Sequence, residues 1–151
     1  MSDDKRFFIS ATAIIRKEDK VLICKRAMTE KAFPGKWTVP GGKFQQSDYV
    51  THPATGAGQW YHPIDRALRR EIKEEVDLEV GTFSYVADIS FIRPDNMHAL
   101  ILSFAAHHKS GEVKLCPALT EFAWVTKEDA KKYDLIDGIY DEICWVFDGH
   151  K

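Results

Sequence analysis

The chain has 151 residues, a length that suits one domain with a hydrophobic core and is too short for two ordinary domains. Hydrophobic residues make up 44% of it and charged residues 29%, so we expect a folded globular protein rather than a disordered one. The formal net charge of −2 argues against non-specific binding to nucleic acid, which requires a basic surface.

The cysteines and the N-terminus bear on the cellular compartment. Cys24, Cys116 and Cys144 are widely spaced, and no pair of them has the spacing of a zinc or redox motif. Free thiols are typical of a reducing compartment. The first residues are acidic and lack the apolar segment of a signal peptide, and no apolar run is long enough to cross a membrane. We therefore predict a cytoplasmic protein whose partners include neither a membrane nor a nucleic-acid polymer.

The first part of the chain predicts strands. Runs rich in β-branched and aromatic residues are separated by a polar turn over residues 17–20 and a loop over residues 27–36. The third run ends at Pro40-Gly41-Gly42, where the glycines allow the backbone to approach another group closely. The predicted strands are residues 7–16, 21–26 and 37–39.

The next segment, residues 45–61, sustains neither a helical nor a strand period. Long loops inside compact domains are commonly functional. This one carries Tyr49, Trp60 and Tyr61, whose rings are costly to leave in water, and two glycines that allow movement. We expect the segment to act as a lid or to contact a partner subunit, and the alternative is a disordered or merely surface-packed insertion.

A helix is predicted over residues 63–77, with a proline at the favoured first position. At about 100° per residue, its apolar side chains form one face and its basic side chains lie opposite. Glu71 and Glu75 fall on the apolar face, and Glu74 falls at its border. The apolar residues are Ile64, Ala67, Leu68, Ile72 and Val76.

Two carboxylates on a core-facing surface are costly unless a cation meets them. The helical wheel places no lysine or arginine on that face. We therefore expect a divalent metal ion to compensate the charge of these carboxylates, because hard cations prefer carboxylate oxygens. The alternative is a solvated helix face with ion pairs between residues four apart.

The remainder predicts further strands and helices. Thr126, with Asp129 three residues later, is typical of a helix N-terminus. Trp145 and Phe147 are expected in the core or at the interface of a homodimer, and His107 is expected to be structural. Strands are predicted over residues 80–93, 98–108 and 120–126, and helices over residues 127–133 and 138–147. The pattern indicates a single α+β domain, residues 1–151, with a mixed sheet between helices.

The glutamate helix and the turn before it together resemble a family signature. The run Gly42 … Arg70-Glu71-Ile72-Lys73-Glu74-Glu75-Val76-Asp77-Leu78 resembles the Nudix box, which reads Gly, five residues, Glu, seven residues, Arg-Glu-aliphatic-any-Glu-Glu-any-Gly-aliphatic. The lead-in Trp37-Thr38-Val39-Pro40-Gly41-Gly42-Lys43 is similar to that of MutT-type nucleotide pyrophosphohydrolases. The resemblance covers nearly the whole chain.

This sequence departs from the box in two places. Counting from Gly42, Asp48 stands where the first Glu belongs, but 21 residues rather than seven separate it from Arg70, an insertion of 14. The first Glu of the box is usually a supporting residue. Its replacement therefore leaves open which residue anchors the loop between Gly42 and the helix. Asp77 stands where the box has Gly, and an aspartate ends a helix there only with some strain.

The resemblance implies an α/β/α sandwich that uses Mg²⁺, or Mn²⁺, to hydrolyse the pyrophosphate linkage of a nucleoside triphosphate or another nucleoside diphosphate derivative. It implies that Glu71, Glu74 and Glu75 are catalytic metal ligands, with Glu71 able to serve as or orient the base. The Gly42 carbonyl and Glu121 are further candidate ligands. Arg70 is expected to be structural, pairing with a carboxylate to hold the helix against the loop.

Substrate contacts are harder to assign from the sequence. Trp37 and Phe33 could stack on a base, and Arg26 could reach phosphates. The plainer interpretations are core packing for Trp37 and a solvated surface position for Arg26. Alternative functions are hydrolysis of ADP-ribose, another nucleotide sugar or a dinucleoside polyphosphate, and nucleotide sensing without catalysis.

Overall fold

The computed structural model describes residues 3–150. A short 3-10 helix (Asp3–Lys5) precedes the first strand. The strands are β1 (Phe8–Lys17), β2 (Lys20–Arg26), β3 (Trp37–Thr38), β4 (Gly41–Lys43), β5 (Glu79–Val80), β6 (Ser84–Ile92), β7 (His98–Ser110) and β8 (Leu119–Thr126). The helices are α1 (Ser47–Val50), α2 (Pro63–Val76), α3 (Lys127–Ala130) and α4 (Ile139–Asp148).

The strands form one mixed sheet. Its central path runs β3-β2-β1-β7-β5, with β4 paired to β1, β6 to β7 and β8 to β2. β1 and β7 are parallel, and the other pairs are antiparallel. β1 and β2 are hydrogen-bonded to each other only near their shared turn, at Arg16–Val21 and Lys17–Lys20. Farther from that turn, β4 pairs with β1 and β3 pairs with β2. The Pro-Gly-Gly turn is thereby inserted between β1 and β2.

Helices cover both faces of this sheet, as predicted for an α/β/α sandwich. Alternate residues of β1 point to opposite faces. Ile15 joins a cluster with Leu68, Ile72 and other residues of α2, whereas Ile14 joins a cluster with Ile143 of α4. No helix within residues 3–150 is long and apolar enough to cross a membrane.

The glutamate helix has the predicted bounds to within one residue. It begins at Pro63, after His62 in the left-handed conformation (φ 60°). It ends at Val76 and is capped by Asp77, which is also left-handed (φ 58°) and whose N–H donates to the Ile72 and Lys73 carbonyls at 3.1 Å. Asp77 thus takes the conformation that glycine would adopt more easily.

Several predicted boundaries were wrong. The strand predicted over residues 80–93 is two strands, because the chain leaves the ladder at Gly81 and Phe83 packs into the α2-side core. The helix predicted over residues 127–133 ends at Ala130, although its Thr126 cap is confirmed by a 3.1 Å bond from the Asp129 N–H. β4 and α1 were missed, because a three-residue strand containing two glycines and a four-residue helix show no periodicity.

Candidate active site

Glu75 and the Gly41 backbone meet where α2 crosses the edge of the sheet. The Gly41 N–H donates a 2.8 Å hydrogen bond to Glu75 Oε1. Burial raises the pKa of Glu75 to about 7, and the Gly41 hydrogen bond opposes this rise only in part. Glu75 is therefore a largely buried carboxyl that, among the described residues, accepts one hydrogen bond and forms no ion pair.

Glu71 lies one turn earlier on the same face and touches the next glycine. A Cβ atom added at Gly42 would lie 2.4 Å from Glu71 Cδ, far inside contact distance. The Glu71 side chain is 16% exposed, and burial raises its pKa against the opposing effect of Arg70. The second glycine of the turn is therefore required by the close approach of the Glu71 carboxylate.

Arg70 connects the helix to the inserted segment. Its Nε and Nη2 atoms donate to the two carboxylate oxygens of Asp48, the Nη2–Oδ2 distance being 3.2 Å. Asp48 also accepts the Gln45 N–H at 2.9 Å, and its side chain is only 1% exposed. The predicted structural role of Arg70 is confirmed, and Asp48 anchors the loop despite the change from Glu and the insertion after it.

The helical wheel was wrong about one contact of Arg70. Arg70 was placed opposite the inward glutamates, yet its Nη1 lies 2.9 Å from Glu71 Oε1 and 3.1 Å from Glu74 Oε2. A guanidinium at the end of a long side chain can cross the helix surface. Glu74 itself is 59% exposed and points outward. In the described part of the chain, no three Asp, Glu, His or Cys side chains are grouped closely enough to hold a metal ion.

The inserted segment is folded against itself rather than extended. Tyr49 of α1 stacks on Phe44 with ring centroids 5.8 Å apart and contacts Trp60 at 5.3 Å. The Trp60 indole N–H donates to the His52 carbonyl at 2.8 Å. Tyr61, by contrast, is 60% exposed. Two of the three aromatic rings therefore stabilise the segment, and the third remains on the surface beside the start of α2.

A family model of the NUDIX domain matches residues 6–146. This chain belongs to the Nudix family. The prediction of a MutT-like Nudix hydrolase from the box residues and their lead-in is thereby confirmed. Nudix hydrolases generally use divalent metal ions, and the chemistry of Glu71 and Glu75 fits one, because both are partly buried carboxyls with raised pKa values.

Individual relatives agree with this assignment. The nucleoside triphosphatase NudI of Escherichia coli K12 is 28% identical over 132 residues, which cover 81% of this chain and 84% of the relative. NudI of Klebsiella pneumoniae is 29% identical over 133 residues with the same coverage.

Solved structures support the Nudix fold. A MutT NUDIX hydrolase from Burkholderia pseudomallei superposes with a TM-score of 0.70 at 21% identity, covering 92% of this chain and 97% of that one. The NUDIX domain of Shewanella oneidensis NrtR, solved with ADP ribose, has a TM-score of 0.71 at 13% identity, covering 95% and 88%.

Glu121, the extra ligand implied by the Nudix resemblance, is not brought to the glutamates of α2. It pairs across the strands with Lys25, and the Glu121 Oε2–Lys25 Nζ distance is 3.3 Å. Neighbouring residues of a strand point to opposite faces. Cys24 belongs to the α2-side core, so Lys25 and its partner Glu121 lie on the other face.

Trp37 also lies on the face away from α2. Its ring packs edge-on against Tyr133 at 4.8 Å, in the core cluster that includes α4. Core packing, the plainer of the two interpretations of Trp37, therefore describes its position.

Arg26 is the last residue of β2, and Phe33 lies in the loop between β2 and β3 that precedes the Nudix lead-in. The Arg26 Nε donates to the Ala32 carbonyl at 2.7 Å, and its Nη2 lies 3.3 Å from Glu30 Oε1. Its positive charge also acts on Glu75 and lowers the pKa of that carboxyl. Phe33 is 50% exposed, with a left-handed backbone (φ 50°). Arg26 thus organises this loop beside the glutamates, and Phe33 stands on its surface.

Lys43, the residue after Gly42, belongs to a cationic aromatic surface that was not predicted from the sequence. Lys43 Nζ lies 5.3 Å from the centroid of the Phe8 ring, and Arg93 Cζ lies 4.3 Å from it. Phe8 is 36% exposed. Lys43 directly follows the glycine turn, which was a usable signal, but Phe8 begins β1 and Arg93 follows the end of β6, far away in the chain. Only the fold could reveal this group.

Proposed function

We propose that this protein is a Mg²⁺-dependent hydrolase that cleaves a nucleoside triphosphate to a nucleoside monophosphate and pyrophosphate. The observation that carries the proposal is the placement of Glu71 and Glu75, two partly buried carboxyls with raised pKa values, directly against the Gly41-Gly42 backbone. The named activity of the NudI relatives supports the choice of a triphosphate.

The proposed cation site consists of Glu71 and Glu75, with Glu74 and the Gly42 carbonyl as further candidate ligands. A bound divalent ion would neutralise the diphosphate and lower the pKa of an attacking water. Arg70 holds Glu71 and Glu74 at 2.9 Å and 3.1 Å, so a cation must compete with this guanidinium for both carboxylates. When Glu71 and Glu74 exchange Arg70 for the cation, the buried Asp48 would still hold the Arg70 side chain in place.

Arg26, at the end of β2, and Phe33, in the loop that follows, are the candidate substrate contacts, because the charge of Arg26 acts on Glu75. Lys43 and Arg93 flank the Phe8 ring at 5.3 Å and 4.3 Å, but Phe8 shares the strand face of Ile14 and therefore lies on the side of the sheet opposite α2. Glu71 is the candidate to serve as or to orient the base, as the Nudix resemblance implies.

A substrate panel with product identification tests the function. Nucleoside triphosphates, ADP-ribose and a dinucleoside polyphosphate are incubated with the protein and either Mg²⁺ or a chelator, and the products are resolved by ³¹P NMR. We expect monophosphate and pyrophosphate from a triphosphate, only with Mg²⁺. Release of inorganic phosphate alone, or faster cleavage of ADP-ribose, would contradict the proposed substrate. Binding without cleavage would favour a sensor.

A further inference from the structure

A cavity of about 220 Å³ lies beneath the C-terminal end of α4, away from the glutamates. Residues of β1, β6, β7 and α4 line it, and three of them are basic: Arg16, His107 and His150. Within residues 3–150, no aspartate or glutamate is part of its lining. Among the described residues, the cavity is therefore lined by one permanent positive charge and two ionisable histidines, and no carboxylate of the lining neutralises them.

The hydrogen-bonding capacity of the Arg16 guanidinium is not fully used within the described residues. Its Nε is buried and has no hydrogen-bond partner, and no carboxylate of the described residues lies within ion-pair distance of its guanidinium. The guanidinium carbon lies 4.5 Å from the centroid of the Phe147 ring. A ring face attracts the positive charge but supplies no conventional acceptor for the N–H groups. Buried N–H groups without an acceptor are rare and costly, so this arrangement calls for a partner.

The two histidines stand at different walls of the same cavity. His107 is the cross-strand neighbour of Arg16 in the parallel β1–β7 pair. His150 stacks on Trp145 at 4.2 Å and donates from Nε2 to the Val86 carbonyl at 2.6 Å. That bond fixes the ring of His150, and its other nitrogen is available to a ligand.

Two acidic side chains that follow cavity-lining residues in the chain are engaged with other partners. Asp88, just beyond the cavity on β6, accepts a hydrogen bond from the Tyr85 hydroxyl. Asp148 at the end of α4 pairs with Lys127, with an oxygen–nitrogen distance of 2.8 Å. These contacts leave the charge of Arg16 without a protein counter-ion in the described residues.

We propose that this cavity is a second anion site that binds a phosphate group. The planar guanidinium fork of Arg16 matches phosphate oxygens, and the histidines add donors when protonated. The volume is several times the roughly 30 Å³ of one water molecule, which leaves room for a phosphate and the first atoms attached to it. The ligand is either free inorganic phosphate or the phosphate of a mononucleotide.

The site is separate from the glutamate site. Gly41 pairs with Thr12 of β1, and Arg16 lies four residues farther along that strand, about 13 Å at about 3.3 Å per residue. Arg16 also follows Ile15, which faces α2, so its side chain leaves the opposite face of the sheet. A phosphate bound there would not touch Glu71 or Glu75.

The test is an NMR titration of the histidine imidazoles with inorganic phosphate, at constant ionic strength and with a chelator present. No metal or substrate is needed, so the result is independent of the proposed hydrolysis. We expect saturable shifts at His107 and His150, with His52, His62 and His98 nearly unaffected. Equal, non-saturating shifts at all six histidines of the chain would overturn the proposal.

Two variants and one control identify the binding groups. Arg16→Gln should weaken phosphate binding about tenfold or more, the loss expected for one charge-assisted hydrogen bond. If that variant does not fold, His107→Gln, a change at an exposed residue, should also weaken binding. Lys17→Gln, next along β1 and exposed, should bind as the wild type does. Unchanged affinity in both the Arg16 and His107 variants would contradict the assignment.

Parallel titrations separate the two sources of phosphate. A mononucleotide that binds more tightly than inorganic phosphate identifies a phosphomonoester as the ligand, and the reverse order identifies the free ion. Both results support the site. A nucleoside without phosphate that produces the same shifts would overturn it.

Discussion

The side chain of Asp48 fixes the position of Arg70, and through it the orientation of two box glutamates. It is almost fully buried, yet it accepts bonds from the Gln45 N–H and the Arg70 guanidinium. Burial alone would raise the pKa of Asp48, but these donors outweigh it and lower the pKa below its usual range. Ionised Asp48 therefore stabilises the folded state above its unfolded pKa, and this contribution is lost as the pH falls through the lowered value.

Asp48→Asn should destabilise the protein by about 1.5–3 kcal/mol at neutral pH, the range for hydrogen bonds to charged groups. The amide keeps the shape of the side chain but removes the charge that faces Arg70. Chemical denaturation at several pH values measures the effect, which should shrink toward acid pH. Asp65→Asn is the matched control, because Asp65 forms an exposed pair with Arg69 that is worth at most about 1 kcal/mol. Equal losses in the two variants would contradict the role of Asp48.

Gly42→Ala should abolish most activity, because the new methyl group would overlap the Glu71 carboxylate. Displacing that carboxylate should lower kcat/KM by about a hundredfold or more, at least the effect of disturbing a supporting group of a metal site. Gly56→Ala is the control, since no atom lies within 4 Å of a Cβ added there. Steady-state kinetics with Mg²⁺ compares the two. Activity of Gly42→Ala close to that of the wild type would mean that hydrolysis does not depend on the observed position of the Glu71 carboxylate.

Glu142 gives a pH prediction far from the glutamates. It lies buried on α4, and burial raises its pKa, with the neighbouring Ser103 hydroxyl offsetting only part of this effect. A carboxyl with a raised folded-state pKa stabilises the protein most at acid pH, and that stability is lost as the pH rises from the unfolded pKa through the folded value.

Glu142→Gln should therefore be more stable relative to wild type at neutral pH than at pH 4. Thermal or urea unfolding across this range measures the difference. Glu112→Gln, the same substitution at an exposed position away from α4, should show no such trend. A constant difference between Glu142→Gln and wild type at all pH values would contradict the assigned burial effect.

At the scale of elements, sequence periodicity predicted the long elements and missed the short ones. Helix α2 has a proline start and a full apolar face, so its bounds and the inward direction of Glu71 and Glu75 could be read from spacing. β4 could not, because its glycines form a strand only through pairing with β1. The contact of Arg70 with Glu71 was missed because a helical wheel fixes Cβ directions but not the ends of long side chains.

The inserted segment should divide into an essential part and a dispensable part. Replacing residues 53–59 with a short Gly-Ser linker keeps α1, Asp48 and the Tyr49–Trp60 contact, so stability should stay close to wild type. Replacing residues 46–59 removes Asp48 and should cost at least as much as Asp48→Asn. Denaturation curves of both proteins test this.

The lid hypothesis makes a separate prediction for the shorter replacement. If residues 53–59 close over the substrate, the variant should keep its metal affinity but discriminate less between nucleotides. The ratio of kcat/KM values for two triphosphates measures this. An unchanged ratio and unchanged KM would exclude a lid formed by these residues.

For the whole molecule, the motif spacing predicted the family and the sandwich, but not which face each distant residue reaches. Glu121 lies on the face opposite the glutamates because its pairing with Lys25 fixes its side, and that register cannot be obtained from the strand's own sequence. Phe8, Lys43 and Arg93 meet for the same kind of reason. The location of the glutamate site was encoded locally, whereas its surroundings depend on strand pairing.

The central claim is that the face of α2 carrying Glu71 and Glu75 holds the divalent cation used for hydrolysis. Calorimetric titration of Mn²⁺ or Mg²⁺ into wild type, Glu75→Gln and Glu79→Gln tests it most directly. Glu79 is an exposed carboxylate that pairs with Lys73 at 3.4 Å, so its loss controls for a general change in charge. We predict that Glu75→Gln weakens metal binding about tenfold or more while Glu79→Gln binds like wild type. Equal metal affinity in wild type and Glu75→Gln would contradict the account.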